Sequence, residues 1–235
     1  SNCKVYLFAK GSSTPLWSYT TGDDQESVAI SADGEYIVVG ESATTLFLFD
    51  KDSSTPLWTY NVESGLKSVA ISADGEYIVA GSGDNKVYLF DKDSSTPLWN
   101  YATGSGAHSV AISADGEYIA AGSMDRNVYL FNKDSSTPLW SYETGATVRS
   151  VAISADGEYI AAGSGDYNVY LFDKDSSTPL WSYEAASTMF SVAISANGEY
   201  IAAGSVDNDV YLFDKDSSTP LWNYTTGSFV RSVAI

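Results

Sequence analysis

Apolar residues come in four short runs separated by polar turns, and the stretch from Val69 to Ser109 shows the whole cycle. It opens with V-A-I at Val69–Ile71, continues through Tyr77–Gly81 and V-Y-L-F at Val87–Phe90, and closes on Leu98-Trp99-Asn100-Tyr101. Ala73-Asp74-Gly75-Glu76 and Ser82-Gly83-Asp84-Asn85 separate the first three runs, and Lys92–Pro97 separates the last two. Asp can bond its own backbone two residues on and Gly supplies positive φ, so these are turn signals. No run has a 3.6-residue period. The pattern predicts four antiparallel strands of about four to six residues, a to d.

The cycle repeats. Val28, Val69, Val110, Val151, Val192 and Val233 each open the same V-A-I, 41 residues apart. All six Trp (Trp17, Trp58, Trp99, Trp140, Trp181, Trp222) and all six Pro fall on that period. A unit of this size cannot bury its apolar surface alone and must stack on its neighbours. Four-stranded units arranged around a centre give an all-β propeller. Five full repeats, 28–68, 69–109, 110–150, 151–191 and 192–232, lie between strands c and d in 1–27 and the start of a strand a in 233–235. The expectation is one propeller domain over 1–235, six-bladed, with a composite sixth blade. Six units need 246 residues, 11 more than the 235 present, and the shortfall matches one turn and strand b. Loss of that strand opens roughly 9–10 Å between strands a and c. Either the chain is part of a longer one, or self-association with a neighbouring molecule or a rearranged terminus fills the gap.

The run S-A-D-G-E-Y-I-A-A-G-S-x-D-x-x-V-Y-L-F-D resembles the WD-repeat pattern, with Phe90 and its copies in place of that family's Trp. L-F-D-K-D-S-S-T-P-L-W, with Asp91 eight residues before Trp99, is similar to the tryptophan-docking motif of quinoprotein-like propellers. The resemblance covers nearly the whole chain and implies fold far more than function. It implies that Asp84, Asp125, Asp166 and Asp207 are structural residues tying the b–c turn to neighbouring strands. Ala43 takes that place in the first full repeat, where a looser turn is expected. The six Trp are expected on the outermost strands, clamping blade to blade. Quinoprotein enzymes hold their quinone under a vicinal disulfide beside calcium, and a single Cys3 cannot form that pair.

Composition narrows the function. No apolar run reaches 18 residues, so no membrane-inserted helix is expected. The net charge of −18 is spread by the repeat and opposes binding to nucleic acid or an anionic membrane. It fits a soluble protein, in high salt or at a cell surface, and identifies no compartment. The D-K-D-S-S loops carry carboxylates and hydroxyls but lack the third acid and turn Gly of calcium loops, so no metal is expected. His108, the sole imidazole, has no motif around it and reads as a solvated loop residue. No Gly-rich phosphate loop appears. Neither an enzyme nor a cofactor is expected.

The copies differ mainly before strand a and in the b–c turn, and both connections emerge on one face of a propeller. All three Arg, the His and both Met lie there, with Tyr167, Phe190 and Phe229. Arg, Met and aromatics are enriched in recognition patches, and loops on a rigid scaffold commonly carry them. Met124, Arg126, Arg149, Tyr167, Met189, Phe190, Phe229 and Arg231 are therefore the candidate binding residues for a protein or peptide. Met189-Phe190 and Phe229-Val230 are expected to expose apolar surface. Drift in unconstrained loops, a purely structural array, and lectin-like multivalent binding on the constant face are the alternatives.

Overall fold

The computed structural model describes residues 3–235, leaving Ser1 and Asn2 of the first unit outside, and contains 22 strands and no helix. β1 (Lys4–Phe8) and β2 (Pro15–Thr20) make a two-stranded antiparallel sheet. Five four-stranded antiparallel sheets follow, each in sequential order. The first is β3 (Gln25–Ile30), β4 (Tyr36–Glu41), β5 (Thr45–Asp50) and β6 (Trp58–Asn61). The second is β7 (Leu66–Ile71), β8 (Tyr77–Ser82), β9 (Lys86–Asp91) and β10 (Trp99–Ala102), and the third is β11 (Ala107–Ile112), β12 (Tyr118–Ser123), β13 (Asn127–Asn132) and β14 (Trp140–Glu143). The fourth is β15 (Val148–Ile153), β16 (Tyr159–Ser164), β17 (Asn168–Asp173) and β18 (Trp181–Glu184). The last is β19 (Met189–Ile194), β20 (Tyr200–Ser205), β21 (Asp209–Asp214) and β22 (Trp222–Thr225). The fold is an all-β propeller of the six-bladed type, with β1 and β2 as the incomplete blade.

The core lies between blades, which is why strand c is apolar at each of its four central positions. Val87 and Leu89 pack forward on Val110, Ile119 and Phe131, whereas Tyr88 and Phe90 pack back on Val38, Leu46 and Leu48. The same division recurs at the following blade boundaries. β1 and β2 pack forward on Ile37, Val39, Phe47 and Phe49.

Each inner strand lies against the next: β3, β7, β11, β15 and β19 run side by side around the axis. A hydroxyl pins each step, because the N–H of Val69, Val110, Val151 and Val192 donates to Ser27, Ser68, Ser109 and Ser150 Oγ of the preceding blade at 3.0–3.1 Å. A second belt joins the a–b turns, where Ala32, Ala73, Ala114 and Ala155 N–H groups donate to the carbonyl 41 residues on at 2.9–3.0 Å. The turn Gly has positive φ, 74° at Gly116, and a Cβ there would stand 2.5 Å from the Tyr77 ring. Gly serves both the left-handed backbone and close blade approach.

Trp99 Nε1–H donates to Lys133 O of the next blade at 2.7 Å, and its indole lies 5.3 Å from the Phe131 ring. Trp17, Trp58, Trp140 and Trp181 repeat that bond to Lys51, Lys92, Lys174 and Lys215. Trp222 is 50% exposed. Val28 is likewise 65% exposed where Val69 is 6%, because the strand-b Gly that covers Val69 has no counterpart before β3.

The composite blade differs from expectation. Val233–Ile235 follows the path of a strand a, with Val233 N–H donating to Ser191 Oγ at 3.1 Å, yet forms no strand. Strand a pairs with strand b in every complete sheet, and no strand b stands beside it here. Open, mostly apolar pockets of about 220 Å³ beside Val5, Tyr6 and Val28 and about 340 Å³ beside Trp222 and Val233 lie at β1 and at Val233–Ile235.

Candidate functional site

The face carrying the variable connections is built on two devices. The first is the b–c turn. Asp125 Oδ1 accepts the Asn127 N–H at 2.9 Å, while Oδ2 accepts the Tyr129 hydroxyl at 2.8 Å and the Gly104 N–H of the preceding d–a loop at 2.6 Å. Asp84, Asp166 and Asp207 make the corresponding bonds to Tyr88, Tyr170 and Tyr211. Burial pushes the Asp125 carboxyl up, but its hydrogen bonds outweigh that and hold it below the ordinary range. Burial and then the Asp125 bond raise the Tyr129 hydroxyl.

In the first full repeat, where a looser turn is expected, the tie to the preceding d–a loop is kept by another residue. Glu41, 3% exposed, accepts the Gly22 and Asp23 N–H groups at 2.7 and 3.2 Å. With Ala43 in place of the Asp, a Tyr hydroxyl would lose that acceptor, and Phe47 stands where the other repeats have Tyr.

The third residue of the same turn is left-handed, with φ of 71° at Asn85 and 78° at Asn208. Arg126 and Tyr167 occupy it at 78° and 79°. Asn tolerates this conformation readily and Arg and Tyr do not. Tyr167 and Met124 are exposed, and Arg126 pairs with Glu143.

The second device is a β-bulge near the start of every complete inner strand. The ladder skips one residue between Gln25 and Ser27, Leu66 and Ser68, Ala107 and Ser109, Val148 and Ser150, and Met189 and Ser191. The skipped residues are Glu26, Lys67, His108, Arg149 and Phe190, and Arg231 holds the equivalent position 41 residues on. A bulge residue is released from the alternation that sends its neighbours to the core. These six positions thus meet at the inner rim of the variable face. Arg149 and Arg231 guanidiniums lie 5.3 and 5.7 Å from the centroid of the one Phe190 ring. His108 Nδ1 stands 3.1 Å from Arg149 O, so His108 is a half-buried rim residue and not the solvated loop residue expected. Burial lowers the His108 pKa and the charges of Arg149 and Lys67 add to that, against the opposing Arg149 carbonyl bond and Glu26.

The bulge also corrects one candidate. Met189 precedes it and is fully buried, like Leu66, Ala107 and Val148, so it packs in the core and is no part of an exposed patch. Phe229 is 51% exposed.

The cations of the protein divide sharply. Lys51, Lys86, Lys92, Lys133, Lys174, Lys215 and Arg126 all stand within ion-pair distance of carboxylates. Among the described residues, Lys67, Arg149 and Arg231 have no such carboxylate, and neither do Lys4 and Lys10 near the chain start. Arg149 Nε is buried without a hydrogen-bond partner.

On the opposite face the polar groups satisfy one another. Asp74 Oδ1 accepts from Ser72 Oγ at 2.6 Å and Glu76 N–H at 3.0 Å. Asp91 accepts the Asp93 N–H at 2.8 Å, and Lys92 reaches Asp93 and Glu76 at 2.9 and 3.5 Å. No group of three or more His, Cys, Asp or Glu with metal-holding geometry occurs among the described residues.

Residues 1–224 match the family model described as outer membrane protein assembly factor BamB, a quinoprotein-type propeller model. The chain belongs to that family. The match answers the quinoprotein side of the resemblance, whereas the WD-repeat likeness rests on the turn and strand residues alone. No curated protein matches the chain.

Proposed function

We propose that this chain is a non-enzymatic binding propeller that recognises a protein or peptide partner through the face formed by its d–a and b–c connections. The observation carrying this reading is the inner rim. In a protein of net charge −18, three unpaired cations and a half-buried Phe share one repeat position on the face where the repeats differ. Exposed Met124, Tyr167 and Phe229 extend that face outward. The family description names an assembly factor, a role performed by contacting other proteins. The self-satisfied loops of the constant face argue against repeated lectin-like sites there.

The test is a random peptide display selection on the immobilised chain, counter-screened against a variant carrying Tyr167→Ser, Phe190→Ser and Phe229→Ser. Peptides retained by the native chain and lost from the variant support the reading. Peptides retained equally by both overturn it.

A further inference from the structure

The rim specifies the chemistry of the partner, an inference that rests on the binding-face reading. We propose that the Arg149–Phe190–Arg231 cluster is an anion subsite that takes a side-chain carboxylate of an extended acidic peptide, with Lys67 as an outlying cation.

The geometry defines the subsite. Both guanidiniums lie over the Phe190 ring, which holds two cations within reach of one aromatic face. A carboxylate is planar and accepts bidentate pairs from Arg, the match that favours Arg over Lys at such a site. Among the described residues no carboxylate fills this role for Arg149 or Arg231, although the chain holds 30 Asp and Glu and seven other cations are paired. Arg149 Nε is itself buried without a hydrogen-bond partner, so an incoming anion has to meet the terminal nitrogens of that guanidinium. Glu26 is the single acid at the rim position and acts electrostatically on His108, but among the described residues it forms no ion pair with Arg149 or Arg231. The acidic remainder of the surface acts through solvent, where charges are screened beyond about 8 Å at physiological ionic strength. An extended peptide suits the position because the same face carries exposed Tyr167 and Phe229, available to its flanking residues.

The experiment is fluorescence anisotropy with the full chain and two labelled probes, Gly-Tyr-Glu-Asp-Glu-Leu-Gly and its isostere Gly-Tyr-Gln-Asn-Gln-Leu-Gly, at 50 and 300 mM salt. The acidic probe should bind at least tenfold more tightly at low salt and lose most of that advantage at high salt. Arg149→Gln and Arg231→Gln should each weaken it about tenfold, the scale of one charge-assisted bond. Lys86→Gln, which removes a paired cation from outside the candidate binding residues, should change it less than twofold. Inorganic phosphate at millimolar concentration should compete weakly; competition as strong as that of unlabelled acidic peptide would make the subsite a small-anion site and overturn the peptide assignment. Equal binding of the two probes, or equal loss in Lys86→Gln and Arg149→Gln, also overturns it. If both probes bind equally but lose affinity in Tyr167→Ser and Phe229→Ser, the binding face stands and the anion subsite falls. If those variants change nothing and neither probe binds, both readings fall. Thermal melts of the Gln variants within about 2 °C of the native chain keep the comparison free of folding effects.

Discussion

Replacing Trp99 and Trp222 by Ala tests the blade clamp with identical chemistry in two settings. Trp99 is mostly covered, lies 5.3 Å from Phe131, and donates to Lys133 O at 2.7 Å. Burial of roughly 150 Å² at about 25 cal/mol per Å² contributes about 4 kcal/mol. The indole hydrogen bond adds about 1 kcal/mol and side-chain ordering removes about 1 kcal/mol. Trp99→Ala should therefore cost about 3–5 kcal/mol, the range for large aromatic truncations. Trp222 occupies the same strand position but is 50% exposed, and no carbonyl among the described residues receives its indole N–H. Its truncation should cost about 1 kcal/mol. Urea unfolding followed by far-UV circular dichroism avoids the fluorescence change that losing a Trp brings. With a slope of about 2–3 kcal/mol/M, the two midpoints should separate by about 1 M or more. Equal midpoints would refute the clamp, because the contrast would then owe nothing to the neighbouring blade.

Gly116→Ala should destabilise by about 2–4 kcal/mol in the same assay, since it forces a side chain into φ 74° and a Cβ to 2.5 Å from Tyr77; a loss under 1 kcal/mol would show that the turn relaxes freely. Tyr167→Asn should raise stability by about 1 kcal/mol by relieving a left-handed Tyr, and an unchanged or lower midpoint would contradict the strain assigned there. Stability should also fall on acidification in two stages. His108 has a folded pKa below its ordinary 6.5, so the unfolded chain takes up the proton first and stability drops as pH falls through 6.5 towards the folded value. Asp125 has a folded pKa below 3.8, so its contribution is present above that pH and lost as pH falls through the folded value. His108→Gln should flatten the first stage and Asp125→Asn the second in pH-dependent thermal melts; a profile unchanged by either variant would remove that group from the account.

The strands were legible because each apolar run is bracketed by Gly and Asp turns and repeated at constant spacing. The interblade core was legible too, since V-Y-L-F leaves no polar face. The bulge was not. Nothing in Leu66-Lys67-Ser68 or Met189-Phe190-Ser191 announces that the middle residue leaves the ladder, so Met189 and Phe190 read as a joint exposed pair. Tertiary register sends one to the core and the other to the rim. Glu41 was visible as an odd residue in its turn, but its substitution for the Asp carboxylate depends on a longer side chain reaching Gly22 from two positions earlier. The paired change of Tyr to Phe47 beside Ala43 was the available signal, for a hydroxyl and its acceptor must come and go together.

The bulge gives this architecture an unusual freedom. A residue exempt from ladder and core can be rewritten without disturbing either, and the repeat supplies five such addresses in a fixed order, with Arg231 at the equivalent position of a sixth. Glu, Lys, His, Arg, Phe and Arg already occupy them, a six-letter word written on a uniform frame. Exchanging whole repeats permutes the letters, and single substitutions respell them one at a time. The chemistry of the rim can therefore diversify at a rate set by recombination between near-identical units, while the scaffold that displays the word stays unchanged.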